Sequence, residues 1–183
     1  WYIPLADDIT SVGLVGDYNF LLKTRPTPGD AYCEELGNCD AVARRIRGGT
    51  MVGDFNVAKE FSYTTQQHAG DGWVLVGDAF GFIDPIYSSG VFFALKTGEM
   101  AADAVTAGLA NNDLSAARLG AWSDDFKQGA KWIRELVDVF YDNDFSFGEF
   151  LRAHPRHRSN LTDLLIGRVF QDSAGEIFQD IDR

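Results

Sequence analysis

The chemistry in this sequence is concentrated in one stretch, Trp73-Val74-Leu75-Val76-Gly77-Asp78-Ala79-Phe80-Gly81-Phe82-Ile83-Asp84-Pro85-Ile86-Tyr87-Ser88-Ser89-Gly90-Val91. Asp78 places a carboxylate just after a short apolar run, and a carboxylate is a strong, directional acceptor. Gly77 lets another group approach the backbone closely. Pro85 stiffens the loop, and Ser88-Ser89-Gly90 leads into an Ala-rich apolar segment that reads as a helix. The first turn of a helix has unpaired N–H groups and roughly half a positive charge. Ser89 and Gly90 add little bulk there, so a flat or anionic group can come near. An acceptor at one end and bare donors at the other suit a polar, electron-rich ligand.

The elements that must hold these residues follow from pattern. Residues 73–76 are short and β-prone, which predicts a strand buried on both faces of a parallel sheet. Asp78 would then sit at its carboxyl end, where open α/β sheets bind ligands. Asp71-Gly72 is a tight-turn dipeptide that feeds the strand. Beyond Gly90, the spacing of Val91, Leu95, Gly98, Ala102, Val105 and Leu109 predicts a slim helix packed on that sheet and stopped by Asn111-Asn112. A second helix is predicted over about 115–140, with Leu119, Trp122, Phe126, Ala130, Ile133, Val137 and Phe140 as its core stripe.

Upstream, residues 1–22 read as extended, with a hairpin formed by residues 1–5 and 9–15. Thr27 is an N-cap with Pro28 in the first helical position. That helix runs to about residue 36, and Asn38 caps another through Ile46, whose Arg44, Arg45 and Arg47 form a solvated end. Residues 56–67 read as a strand in which Phe61 and Tyr63 share a face, either lining a substrate pocket or packing the sheet. In the tail, Phe145, Phe147 and Phe150 cluster. His154 and His157 have metal-like spacing but no companion ligands nearby in sequence, so no metal site is expected. Helices are expected over 161–170 and 174–181. Three regions result: 1–72, strands and short helices; 73–143, the Gly-Asp strand with two helices; and 144–183, a helical tail. The fold class is α/β, with α+β character.

The 183 residues, 45% of them hydrophobic, can bury a core. A net charge of -11 excludes nucleic acid and anionic membrane surfaces as partners. No apolar run approaches the roughly 20 residues of a membrane helix. Cys33 and Cys39 are too few for a disulfide framework and suit free thiols in the cytoplasm.

Gly77-Asp78-Ala79, Phe82-Ile83-Asp84-Pro85 and Ser88-Ser89-Gly90-Val91 together resemble the second flavin motif of FAD-dependent monooxygenases and halogenases, the p-hydroxybenzoate hydroxylase-like flavoproteins. Trp1-Tyr2-Ile3-Pro4 resembles the end of the halogenase Trp-x-Trp-x-Ile-Pro signature, whose first Trp would precede residue 1. The resemblance implies the C-terminal part of a Rossmann-like FAD oxidoreductase that uses reduced flavin and oxygen on an aromatic or carrier-bound substrate. It implies FAD contacts from Gly77, Asp78, Pro85, Ser88, Ser89, Gly90 and Val91. Asp78 would take a ribityl hydroxyl, and the Ser89-Gly90 amides would also hold chloride or bromide. Trp1, Phe61, Tyr63 and Tyr87 would lie on the substrate side.

Tryptophan halogenases resemble this motif but carry Glu where this chain has Tyr87, which points toward phenolic, pyrrole or carrier-bound substrates. No Gly-x-Gly-x-x-Gly for the pyrophosphate occurs. None of Lys23, Lys59, Lys96, Lys127 or Lys131 sits in the motif of the halogenase lysine, which is expected upstream of residue 1. The resemblance therefore implies half an active site, with the N-terminal half of the same protein as a partner and a flavin reductase as a candidate electron source. A non-halogenating FAD hydroxylase or geranylgeranyl-reductase-like enzyme, and a non-catalytic partner-binding module, are the alternatives.

Overall fold

Branched and aromatic residues at the start of the chain pair as their pattern requires. Strands β1 (Tyr2–Pro4) and β2 (Thr10–Val12) are antiparallel, with Ile3 opposite Ser11. Asp7 and Asp8 make the turn in left-handed conformation, which a short polar side chain tolerates. A computed structural model describes residues 1–59 and 62–181. They fall into two units, residues 1–59 and 60–183.

In the first unit the extended reading of residues 1–22 fails at α1 (Tyr18–Leu22). Asp17 caps that helix, its carboxylate accepting from the amides of Asn19 and Phe20 at 2.8 and 3.1 Å. A local cap outweighs the β-prone composition here. Thr27 caps α2 (Pro28–Asn38) as expected, accepting from the Asp30 amide at 3.1 Å. Because α2 runs on to Asn38, the cap of α3 (Asp40–Ile46) is Cys39 and not Asn38.

In the second unit the strands are minimal and all antiparallel. β3 (Tyr63–Thr64) pairs with β6 (Gly81–Phe82), and β4 (Ala69–Gly70) with β5 (Trp73–Val74). Gly72 makes the β4–β5 turn at φ 81°. The expected buried parallel strand over 73–76 does not form: β5 spans two residues, and Trp73 and Val76 are exposed. No strand among the described residues runs parallel beside it, and β-propensity without neighbours to pair has little to act on. The strand expected over 56–67 shrinks to Tyr63–Thr64 for the same reason.

Helices make the core. They are α4 (Gly90–Ala110), α5 (Ala116–Leu119), α6 (Ser123–Tyr141), α7 (Phe147–Ala153) and α8 (His157–Leu165), followed by a 3-10 segment, Asp172–Gln179. The single helix expected over 115–140 is two, because α5 closes at Gly120. Its stripe turns slightly, so that Leu136 and Val139 are buried while Phe140 is exposed. Phe126 centres an aromatic cluster, its ring edge-on to Phe80 at 5.1 Å and Phe93 at 5.2 Å.

The face of α4 is also corrected. Phe93, Thr97, Ala101 and Gly108 point inward, whereas Val91 and Leu95 are 76% and 71% exposed. Nothing packs close to Gly98. An Ala-rich helix is apolar on two sides, and the Gly77 turn takes the other one.

In the tail α8 ends at Leu165, and the segment expected as helix over 174–181 is 3-10. His157, 3% exposed, stacks on Phe150 and reaches Asp180 Oδ2 at 2.6 Å and Asn160 Oδ1 at 3.0 Å. Hydrogen bonds from Arg156 and then His157 hold the Asp180 carboxyl down at about 2. Among the described residues no cluster of His, Cys, Asp and Glu can hold a metal, and no helix is long and apolar enough to cross a membrane.

Candidate functional site

Gly77 opens a 3-10 turn, Gly77–Ala79, in left-handed conformation at φ 55°. A Cβ there would lie 3.3 Å from the Cβ of Ala94, so only glycine lets the turn press on α4. The Gly77 N–H donates to Thr97 Oγ1 at 2.8 Å, and that hydroxyl donates to the Phe93 carbonyl at 2.7 Å. Thr97 is fully buried. The Asp78 carboxylate stands exposed on the turn with no hydrogen-bond partner among the described residues, while its backbone carbonyl accepts from the Tyr63 hydroxyl.

The far end of the motif is built the same way. Asp84 is nearly buried; its Oδ1 accepts from the Ile86 amide at 2.9 Å and its Oδ2 from the Tyr141 hydroxyl at 3.2 Å. It caps the 3-10 turn Pro85–Tyr87, whose end carries Ser88 into the left-handed region at φ 55°. Ser89 follows, and the first turn of α4 begins. Phe93 is the first residue whose amide finds an acceptor, Ser89 O at 2.9 Å; the N–H groups of Gly90, Val91 and Phe92 have none among the described residues. Nothing lies within 4 Å of where a Gly90 side chain would start.

These features fit a flavin. The bare amides and the open glycine lie at the start of α4, and the turn that carries the free carboxylate docks on the same helix at Thr97, about 10 Å from Gly90 at 1.5 Å rise per residue. A tricyclic ring and its sugar-alcohol chain cover such a span.

Tyr87, Ser88, Ser89 and Phe92 line a cavity of about 180 Å³ together with Ile133, the end of α8 and, beyond it, Ile166, Gly167 and Val169. Asp78 is not among its lining residues. The Tyr87 ring packs edge-on to Phe140 and its hydroxyl donates to Leu136 O at 3.4 Å. Burial, aided by the nearby Tyr141, pushes its phenol up to about 12, so it stays neutral. Tyr63 serves the Asp78 turn; Trp1, in the first unit, is exposed and donates from Nε1 to Ser11 Oγ at 3.0 Å. Phe61 lies outside the described residues.

Sequence reasoning quoted Asp84 without giving it a role and passed over Thr97 and Tyr141. Thr97 left one trace, a hydroxyl four residues from both Phe93 and Ala101 in an Ala-rich helix.

A family model described as tryptophan halogenase matches residues 1–179. The chain belongs to the tryptophan halogenase family. Within that family it is 33% identical over 171 residues to a 1H-pyrrole-2-carbonyl-[peptidyl-carrier protein] brominase of Pseudoalteromonas luteoviolacea, covering 93% of this chain and 42% of that protein. It is 29% identical over 177 residues to the 1H-pyrrole-2-carbonyl-[peptidyl-carrier protein] chlorinase of Pseudomonas fluorescens, covering 97% and 39%. Among solved structures it resembles the flavin-dependent brominase Bmp2, with a TM-score of 0.70, 31% identity, and coverage of 89% of this chain and 41% of that one. The chain thus spans about two fifths of the length of these halogenases. The family accounts for the mixed helix and strand composition.

Proposed function

We propose that this chain is the flavin-holding and substrate-facing part of a flavin-dependent halogenase acting on a small aromatic group presented by a carrier. The observations that support the reading are an exposed, unpartnered Asp78 carboxylate on a turn that packs against α4 and the bare amides of Gly90 and Val91 at the start of the same helix. The chemistry supplied by bound FAD is reduction of oxygen coupled to oxidation of a halide. Asp78 would accept a ribityl hydroxyl of the cofactor. Gly77 sets that turn, Pro85 would help hold the ring, and Ser88 aims the following amides. The N–H groups of Ser89, Gly90 and Val91 would hold the electron-rich part of the flavin and oppose negative charge on it. Ser89 and Gly90 would hold chloride or bromide.

A neutral phenol at Tyr87 gives no charged acceptor for an ammonium group, which suits a pyrrole or phenol over free tryptophan. The two relatives named for a pyrrole on a peptidyl carrier support this substrate class. Within the second unit, Tyr63 and Tyr87 are the substrate-side residues of this reading. The apolar face of α4 that carries Val91, Leu95 and Leu109 is exposed. A flavin reductase supplies electrons, and the site of action is the cytoplasm.

The test uses the longest native protein that carries this chain. Gly90→Val fills the open glycine and Asp78→Ala removes the acceptor; each weakens FAD binding, read by quenching of flavin fluorescence. Chloride or bromide shifts the flavin absorbance of the wild type, and products carry halogen by mass spectrometry. Unchanged FAD affinity in Gly90→Val sinks the cradle; a hydroxylated product independent of halide makes it a hydroxylase.

A further inference from the structure

Arg134 on α6 is a partly buried cation without a counter-ion among the described residues. No carboxylate oxygen among the described residues lies within 4 Å of it, although the chain has 27 Asp and Glu against 16 Lys and Arg. Arg25, partly buried too, is held by Glu34 and Glu35. The other arginines that lack a carboxylate, Arg44, Arg45, Arg47 and Arg158, are exposed. A guanidinium taken partly out of water and left unpaired is unfavourable unless an anion completes it.

The position of the guanidinium says what could complete it. Its Nη2 donates to Thr64 Oγ1 at 2.6 Å, and Thr64 is exposed. A hydroxyl that accepts from arginine keeps its own proton to donate outward, so the two side chains offer an external ligand several donors against one remaining lone pair. Gly81 flanks them with a bare α-carbon; a Cβ there would stand 3.8 Å from Nη2. Thr64 and Tyr63 are adjacent on β3, and Tyr63 holds the carbonyl of Asp78. The donor pair flanks Gly81, which follows the Gly77–Ala79 turn by two residues. Burial pushes the Arg134 pKa down from its ordinary value, with no charged neighbour contributing.

We propose that Arg134 and Thr64 form a phosphate-binding site beside the Gly77–Ala79 turn. A guanidinium fork and a hydroxyl match the several acceptor oxygens of a phosphate better than they match a halide. The phosphate comes from the cofactor, in which case the site extends the flavin reading, or from another phosphate-bearing ligand.

The experiment is calorimetric titration of the longest native protein carrying this chain with inorganic phosphate, FAD and riboflavin, which lacks phosphate. Wild type is compared with Arg134→Met, Arg134→Lys and Thr64→Val. Thr64 is exposed, so Thr64→Val decides the matter if Arg134→Met does not fold. A loss of about tenfold in FAD affinity with riboflavin unchanged identifies the cofactor's phosphate. A similar loss for inorganic phosphate with FAD unchanged identifies a separate phosphate ligand. Affinities for FAD and for phosphate that are both unchanged in Arg134→Met and Thr64→Val overturn the site. Failure of the wild type to bind riboflavin and FAD at all defeats the flavin reading instead, and the phosphate arm still judges this one.

Discussion

Replacing Thr97 by valine removes one oxygen from the interior and little else. Shape and volume are nearly kept, so the cavity contribution is small. The Gly77 N–H, which donates to Thr97 Oγ1 at 2.8 Å, loses its acceptor. The Phe93 carbonyl loses only a second donor, since the helix amide four residues on still serves it. A donor left unpaired by such a change costs about 1–3 kcal/mol. At about 2 kcal/mol, a unit of this size should lose on the order of 8 °C in Tm. Thr97→Ser keeps the acceptor and loses one methyl group, worth about 1 kcal/mol. Urea unfolding followed by circular dichroism gives the two stabilities, and hydrogen exchange gives the specific signature: the Gly77 amide is protected in wild type and Thr97→Ser and exchanges fast in Thr97→Val. Equal protection of Gly77 in Thr97→Val, or Thr97→Ser as damaging as Thr97→Val, refutes the claim that this bond sets the turn.

Three further outcomes are expected. Gly77→Ala forces a side chain into the left-handed region 3.3 Å from Ala94, and should destabilise by roughly 1–2 kcal/mol in urea; a neutral effect would mean the turn is not held as described. Gly129→Ala drives a Cβ to 2.3 Å from the Phe170 ring, so it should destabilise by about 1–3 kcal/mol, with Phe170→Leu restoring part of the loss in the double variant. Asp180, held at about 2 against roughly 3.9 in an unfolded chain, contributes stability that is complete above pH ~4 and lost as pH falls toward ~2. The urea midpoint of Asp180→Asn should therefore fall less steeply than wild type across that window, and identical slopes would count against the Arg156–Asp180–His157 link.

Local chemistry was legible in the sequence. The Thr27 cap, the Asp71-Gly72 turn and the existence of the two long helices need only neighbouring residues, and the structure forms them. The Gly-Asp motif carried the family. The short strand over 73–76 was misread because strand propensity is a property of the sheet that surrounds it. The face of α4 was misread because alanine satisfies either side, and only the Gly77 turn breaks the tie. Thr97, Tyr141 and Arg134 act on partners 20, 57 and 70 positions away, and no periodicity reports such distances.

The bonds that shape the Asp78 turn and the Ser88 bend come from residues 63–141 of the same chain: Tyr63, Thr97, Asp84 and Tyr141. On the proposed flavin reading, a stretch held by its own bonds surrenders little disorder when the cofactor arrives. Variation among relatives in this stretch should consequently alter how long a cofactor stays more than how fast it docks.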